Sequence, residues 1–272
     1  MRRPLFPRKR QNFKKLQPTH NIIRTLSKLG VCSRKQACEW VMAGRVQVTG
    51  RIIRDPGFKV TAGAMIYVDG KPAVKQKRTY LMLHKPAGYV TTRHDEKGRK
   101  TVYELLTDVK EWLFPVGRLD QDTEGLLLFT NDTAWGDRLT DPDSNVPRTY
   151  RVTVRGLPSS EDIKKIQNGM DIGRGERSRP AKVKLLSSDN STATVEITLT
   201  EGKNREIRRM FDQLGKPVLR LTRTCFGPFR LDDLPLGRHK RIDPRADRSG
   251  PDDRAATRRR TNRPMPHWDD PD

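Results

Sequence analysis

Apolar residues in this chain arrive in short bursts set between charged ones, of which Leu126-Leu127-Leu128-Phe129 is the most compact. A membrane helix takes about 18 or more consecutive apolar residues, so such a burst cannot be one. It reads instead as a buried strand that the rest of the chain must cover. Hydrophobic residues make up only 33% of the 272, against 32% charged, so the material for that cover is limited.

The charge is lopsided. Fifty-five Lys and Arg against 33 Asp and Glu give a formal net charge of +22. That excess predicts a polyanionic partner, nucleic acid above all, and no membrane role. Residues 1–20 hold seven basic and no acidic residues, and 21–71 hold nine basic and three acidic, so the polyanion should be gripped there. Residues 237–272 hold ten basic and seven acidic. Segments this rich in charge and poor in apolar groups cannot offset the entropy of ordering. Residues 1–19 are therefore expected to be a disordered basic arm and 237–272 a disordered charged tail. No apolar segment follows the basic start, so no secretory signal is expected. Cys32, Cys38 and Cys225 are odd in number and lack metal-ligand spacing, which favours a reducing, cytoplasmic setting over a disulfide scaffold.

From Asn21 the pattern becomes that of a folded module. Ile22, Ile23, Leu26 and Leu29 recur at helical spacing and Gly30 stops the helix. Ser33 stands where an N-cap belongs, Ala37, Trp40 and Val41 form the next apolar face, and Gly44 ends it. Short strands at Val46–Val48 and Met65–Val68 follow, with turns at Thr49-Gly50 and Asp69-Gly70. Arg24, Arg34, Lys35, Arg45 and Arg51 cluster around the helices and can track a phosphate backbone. The run "LSKLGVCSRKQACEWVMAGRVQVTG", closed by "IYVDGK", resembles the alpha-L RNA-binding domain named after a primary-binding ribosomal protein of the small subunit. It spans about residues 20–71, and Thr49 stands where family members usually carry Asn. A helix-turn-helix DNA module is the alternative.

Residues 72–78 are polar and read as a linker. Residues 79–236 are long enough for one α+β domain. Strands are predicted at Tyr80–Leu83, Tyr150–Val154, Ala181–Leu186 and Thr194–Leu199, and helices near Tyr103–Leu106, Ser160–Asn168 and Arg205–Leu214. This mixture favours a mixed, largely antiparallel sheet. There is no GxGxxG, no Gly-rich phosphate loop and no paired His/Cys set, so neither a cofactor nor a metal is expected.

Two segments carry chemistry. In Val116–Gly125, Asp120, Asp122 and Glu124 alternate beside Arg118, just ahead of the apolar burst. The pattern is open to three readings: oxygens around Mg²⁺, a polar turn before a buried strand, or one aspartate kept ionised by a guanidinium to attack an electrophilic carbon. In Glu201–Phe211, Ile207, Met210, Phe211 and Leu214 form an anchoring stripe while Arg205, Arg208 and Arg209 project elsewhere. For Arg209 a solvated face is the reading. A Gly before a basic helix start, with Lys203 and Arg205, can also offer donors to phosphate.

Together "LHKPAGYVTT", "FPVGRLDQDTEGLLLFTND", "RTYRVTV", "LTEGKNREIRRMFDQLG" and "VLRLTRTCFG" resemble, in order, the bacterial ribosomal RNA pseudouridine synthases that carry an N-terminal alpha-L domain. The resemblance covers about residues 20–230. It implies that uracil is detached from ribose, turned and rejoined through C5, with no cofactor. It implies that Asp120 is the catalytic aspartate, Tyr150 stacks on the flipped base and Arg208 pairs with the aspartate. Leu219 or Leu221 would touch the base, and Arg118, Lys203 and Arg205 would contact RNA. Arg148 stands where many members have lysine. The stretch "GYVTTRHDEKGRKTVYELL" and the tail look more like the enzymes acting on 23S rRNA of an assembling large subunit. Nothing in the chain demands more than a monomer. The rival readings are a non-catalytic RNA-binding assembly factor and a Mg²⁺-dependent nuclease.

Overall fold

The structure, a computed structural model, describes residues 20–247. The expected basic arm at 1–19 and residues 248–272 of the expected tail lie outside the described residues. The chain divides between Lys77 and Arg78 into two compact units.

The first unit runs β1 (His20–Asn21), α1 (Ile22–Lys28), α2 (Arg34–Met42), β2 (Val46–Val48), β3 (Arg51–Ile53), β4 (Lys59–Val60), β5 (Ile66–Val68) and β6 (Lys71–Pro72). Both helices start on side-chain caps: Asn21 accepts the Arg24 N–H, and Ser33 accepts the Gln36 N–H. Ile22, Leu26, Cys32, Ala37, Val41 and Val46 close the core against an antiparallel sheet of order β3-β2-β5-β6. Thr49 makes the β2–β3 turn at φ 50°, a left-handed conformation that its β-branched side chain resists and that Asn accepts more readily. The first two residues of the expected linker differ in fate: Pro72 pairs with Tyr67, while Ala73 begins irregular chain.

The second unit contains β7 (Tyr80–Lys85), β8 (Phe114–Val116), β9 (Glu124–Thr130), α3 (Thr133–Thr140), β10 (Arg148–Arg155), α4 (Ser160–Asn168), β11 (Lys182–Ser188), β12 (Thr192–Leu199), α5 (Glu206–Gln213), β13 (Val218–Phe226), β14 (Phe229–Arg230) and β15 (His239–Arg241). One sheet carries the order β11-β12-β10-β13-β9-β7-β15, with β8 added to β9 and β14 to β13. Among the strands of this sheet only β9 and β13 pair in parallel, so the sheet is mixed and largely antiparallel.

The Leu126–Phe129 burst is the middle of β9, and both of its faces are covered. Leu126 and Leu128 pack with Trp135, Leu139 and Phe226, while Leu127 and Phe129 pack with Leu81, Leu83, Val102 and Leu113. A third core gathers Val152, Val154, Val195, Ile197, Met210 and Phe211 beneath α4 and α5. Helix α4 begins on a reciprocal capping box of Ser159 and Asp162, and its C-terminal cap is Gly169.

Two expectations need correction, and one helix is additional to those expected. The tail does not begin at Gly237, because β15 pairs with β7 through His239, Lys240 and Arg241. The segment near Tyr103–Leu106 is a tight 3₁₀ turn over Val102–Leu105. Helix α3 was not foreseen, since Gly136 interrupts its sequence pattern. That glycine sits against the Phe114 ring, where an added Cβ would lie 3.0 Å from it.

Candidate active site

Asp120 sits on a β-turn that delivers the chain into β9. Its carbonyl accepts the Thr123 N–H at 3.1 Å, closing the turn. Beneath the turn lies Lys85, the last residue of β7 and fully buried. Its ammonium donates to the carbonyls of Pro86 (3.0 Å), Asp120 (3.0 Å) and Thr123 (2.7 Å). Burial pulls the Lys85 amine down to about 8, against the opposing pull of the Asp122, Asp120 and Glu124 charges. Gly88 adds a further tie, its N–H donating to the Gln121 carbonyl at 2.8 Å. The turn is thus held from below by Lys85 and Gly88, which lie just beyond the strand predicted at Tyr80–Leu83. A lone lysine closing an apolar strand just before proline is the signal that would have found it.

The arginines distribute themselves differently from expectation. Arg208 does not pair with Asp120. Its side chain is nearly buried, donates to the Asp122 carbonyl at 2.8 Å and lies 3.3 Å from the Asp122 carboxylate. The guanidinium beside Asp120 is that of Arg205, at 3.7 Å, and the same group forks onto Asp122 at 3.1 and 3.0 Å. One residue explains the difference. Arg205 precedes α5 in the left-handed conformation, φ 49°, which turns its side chain toward the Asp120 turn. Burial opposes ionisation of Asp122, but the hydrogen bond from Arg205 and the charges of Arg208 and Arg205 outweigh it and hold that carboxyl below its ordinary range. Arg209 is no solvated face: it donates to the Ile172 carbonyl at 2.8 Å and pairs with Glu176.

The three acidic residues do not gather around a common centre. Asp120 and Asp122 face Arg205, whereas Glu124 accepts from Arg220 at 2.9 and 2.8 Å. Each carboxylate is therefore charge-compensated by a guanidinium, which leaves the Mg²⁺ reading without a ligand set among the described residues.

Two clefts meet at Asp120. One, of about 660 Å³, is lined by Arg118, Asp120, Arg148, Tyr150, Leu221 and Arg223 among others. The other, of about 880 Å³, runs along the Gly88–Arg99 segment and shares Arg118, Asp120 and Arg205 with the first. Tyr150 on β10 stands directly across from Arg223 on β13, so the sheet itself sets that pair on one face. Of the two leucines left open, Leu221 is buried and lines the cleft, whereas Leu219 is 48% exposed and does not. Arg148 turns back to donate to the Leu139 and Glu201 carbonyls at 3.3 and 3.4 Å and stacks over Phe226. Lys203 also lines this cleft, with its ammonium on Glu201 at 3.1 Å and on the Arg177 carbonyl. Glu206 is buried beside Glu201, and burial together with the shared hydrogen bond pushes its carboxyl up to about 8.

In the first unit, Arg24, Arg34, Lys35 and Arg51 are all exposed. Arg45 is committed within the fold, forking onto Asp69 (2.8 Å from its Nε) and lying over the Trp40 ring.

Comparisons with known proteins agree with this arrangement. Residues 79–213 match the family model described as RNA pseudouridylate synthase, and residues 22–66 match the S4 domain. A Bacillus subtilis protein named ribosomal large subunit pseudouridine synthase B is 35% identical over 223 residues, which is 81% of this chain and 91% of that one. A Pseudomonas aeruginosa protein of the same name is 36% identical, covering 82% of this chain and 59% of the other. A crystal structure of a pseudouridylate synthase superposes with a TM-score of 0.59 at 27% identity, over 82% of this chain and 96% of that one. The chain belongs to the RNA pseudouridylate synthase family and is an RNA pseudouridine synthase with an S4 domain ahead of its synthase domain.

Proposed function

We propose that this enzyme converts a uridine of large-subunit ribosomal RNA to pseudouridine, with Asp120 as its essential carboxylate. The choice of RNA rests on the two relatives named for the ribosomal large subunit. The observation that carries the role of Asp120 is its position: a carboxylate on a braced turn, where two clefts meet, 3.7 Å from Arg205. The reaction breaks the C1′–N1 bond, forms C1′–C5 and moves a hydrogen from C5 to N1, so nothing enters or leaves. A carboxylate suits an anomeric carbon, as glycosidases illustrate.

Tyr150 replaces the stacking that the uracil loses when it leaves the helix, a cost of a few kcal/mol, and Leu221 meets the ring's other apolar surface. Arg118, Lys203 and Arg205 contact the backbone of the flipped nucleotide. Arg208 acts through the turn, by holding Asp122. The S4 domain grips the RNA through Arg24, Arg34, Lys35 and Arg51, and Arg45 serves its fold. The deciding experiment maps pseudouridine in both ribosomal RNAs of a deletion strain complemented with wild type or Asp120→Asn. Loss of one large-subunit site in the mutant is expected. Retained modification would rule out Asp120, and a lost site in the small-subunit RNA would rule out the choice of substrate.

A further inference from the structure

Leu119 precedes Asp120 in a stretch that belongs to no strand, so its main chain has no ladder partner, and the residue is only 6% exposed. A buried peptide N–H and C=O must nevertheless be satisfied. Both are satisfied by one side chain. The Thr91 hydroxyl donates to the Leu119 carbonyl at 2.7 Å and accepts the Leu119 N–H at 3.2 Å, and Thr91 is itself 7% exposed. A hydroxyl does both from a single oxygen. Thr91 is in turn fixed, because its neighbour Val90 bonds on both sides: its N–H donates to the Lys100 carbonyl at 2.8 Å, and its carbonyl accepts the Val102 N–H at 3.0 Å.

Lys85, Gly88 and Thr123 secure the chain from Asp120 onward, whereas Thr91 secures it on the side that enters Asp120. The torsions that aim the Asp120 carboxylate lie between these two sets of ties. We propose that Thr91 is a positioning residue for the pseudouridylation step, its hydroxyl fixing the direction of the Asp120 carboxylate through the Leu119 backbone. This inference rests on the reading of Asp120 as the essential carboxylate.

The test uses the full chain and ribosomal RNA isolated from the deletion strain, with kcat, KM and RNA affinity measured for Thr91→Val, Thr91→Ser, Thr91→Ala and Asp120→Asn. Misplacing a reacting group by about 1 Å costs up to ~100-fold in rate, so Thr91→Val should lower kcat by about 10- to 100-fold and leave KM and RNA affinity within about twofold. Thr91→Ser, which keeps the hydroxyl, should recover kcat to within about threefold of wild type. If the valine variant does not fold, Thr91→Ala decides: its smaller side chain leaves room for a water at Leu119, and the same kcat loss is expected because a water does not fix the backbone. Wild-type kcat in the folded Thr91 variants, with Asp120→Asn inactive, overturns the role of Thr91. Equal losses in valine and serine variants overturn it too, since the hydroxyl would then be irrelevant. Activity in Asp120→Asn refutes the underlying reading of Asp120 instead.

Discussion

Gly125 offers a test of how the cleft is held together. It pairs with Arg223 across the parallel contact between β9 and β13, at φ 109°, a conformation that L side chains rarely adopt. A Cβ built there would lie 2.3 Å from the Arg223 carbonyl oxygen and 2.5 Å from its nitrogen. Neither is the end of a flexible side chain, so Gly125→Ala must push two strands apart. Gly156 supplies the control, with φ 80° and nothing within 4 Å of its added Cβ. Gly156→Ala carries only the left-handed penalty of about 1–2 kcal/mol, partly offset by a stiffer unfolded chain. Gly125→Ala carries that penalty plus the clash, for a total of about 4 kcal/mol or more, in the range reserved for severe backbone or core disruption. Because the contact joins the Asp120 side of the cleft to the Tyr150 and Leu221 side, activity should fall as well. Urea denaturation with matched m-values, read beside the pseudouridylation rate, measures both. If the two alanine variants differ by less than about 0.5 kcal/mol, the close approach of β9 and β13 is not what holds the sheet halves together.

Lys85→Met orphans the Pro86 and Thr123 carbonyls and should cost about 3 kcal/mol in thermal or urea denaturation. The folded amine is drawn down to about 8, so above that pH the unfolded chain holds a proton that the folded chain lacks, and the contribution of Lys85 rises with pH. The stability gap between wild type and Lys85→Met should therefore widen by roughly 1–2 kcal/mol from about pH 7.5 to about 9.5; a constant or shrinking gap contradicts the burial of this charge. Arg205→Gly should keep stability within about 1 kcal/mol, because relief of the left-handed backbone offsets an exposed ion pair, yet lower kcat by at least ~10-fold. Wild-type kcat in that variant would remove Arg205 from the site. In the first unit, Arg34→Ala combined with Lys35→Ala should weaken RNA binding at unchanged kcat and flatten the slope of log affinity against log salt by about 1.4–1.8; an unaltered slope means neither side chain meets a phosphate.

What was legible in the sequence follows from locality. The helix of Ile22, Ile23 and Leu26, the Ser33 cap, the boundaries of Ser160–Asn168 and the strand character of Leu126–Phe129 rest on spacing within a few residues, and the fold keeps them. The Asp120–Glu124 segment stood out because acidic residues alternate just ahead of an apolar strand, and only the family resemblance singled out Asp120 within it. The groups around it were less visible. Lys85 reaches Asp120 across 35 residues, Thr91 reaches Leu119 across 28, and Arg205 reaches Asp122 across 83. No periodicity encodes such contacts. Arg208 was assigned to Asp120 from resemblance alone, and the left-handed backbone at Arg205 gave that place to a neighbour three residues earlier. Arg209 looked solvated because it is charged on a helix surface, but the chain around Ile172 and Gly173 returns to cover it. The strand at His239–Arg241 went unseen because its residues are polar and its stability comes from the ladder with β7.

The parallel contact of β9 and β13 also sets an order in time. Glu124 and Thr222 are 98 residues apart in the chain, so their pairing closes a long loop, whereas the ties of Lys85 to Asp120, Gly88 to Gln121 and Thr91 to Leu119 span no more than 35 residues. Short loops close before long ones, and synthesis runs from the N-terminus. A growing chain can therefore build the carboxylate turn while Leu221 and Arg223 are still unmade. The wall that would hold a uracil against that carboxylate arrives only with β13. A complete cleft is then a late product of folding, and the partly made chain presents Asp120 without the Leu221 and Arg223 wall of its cleft.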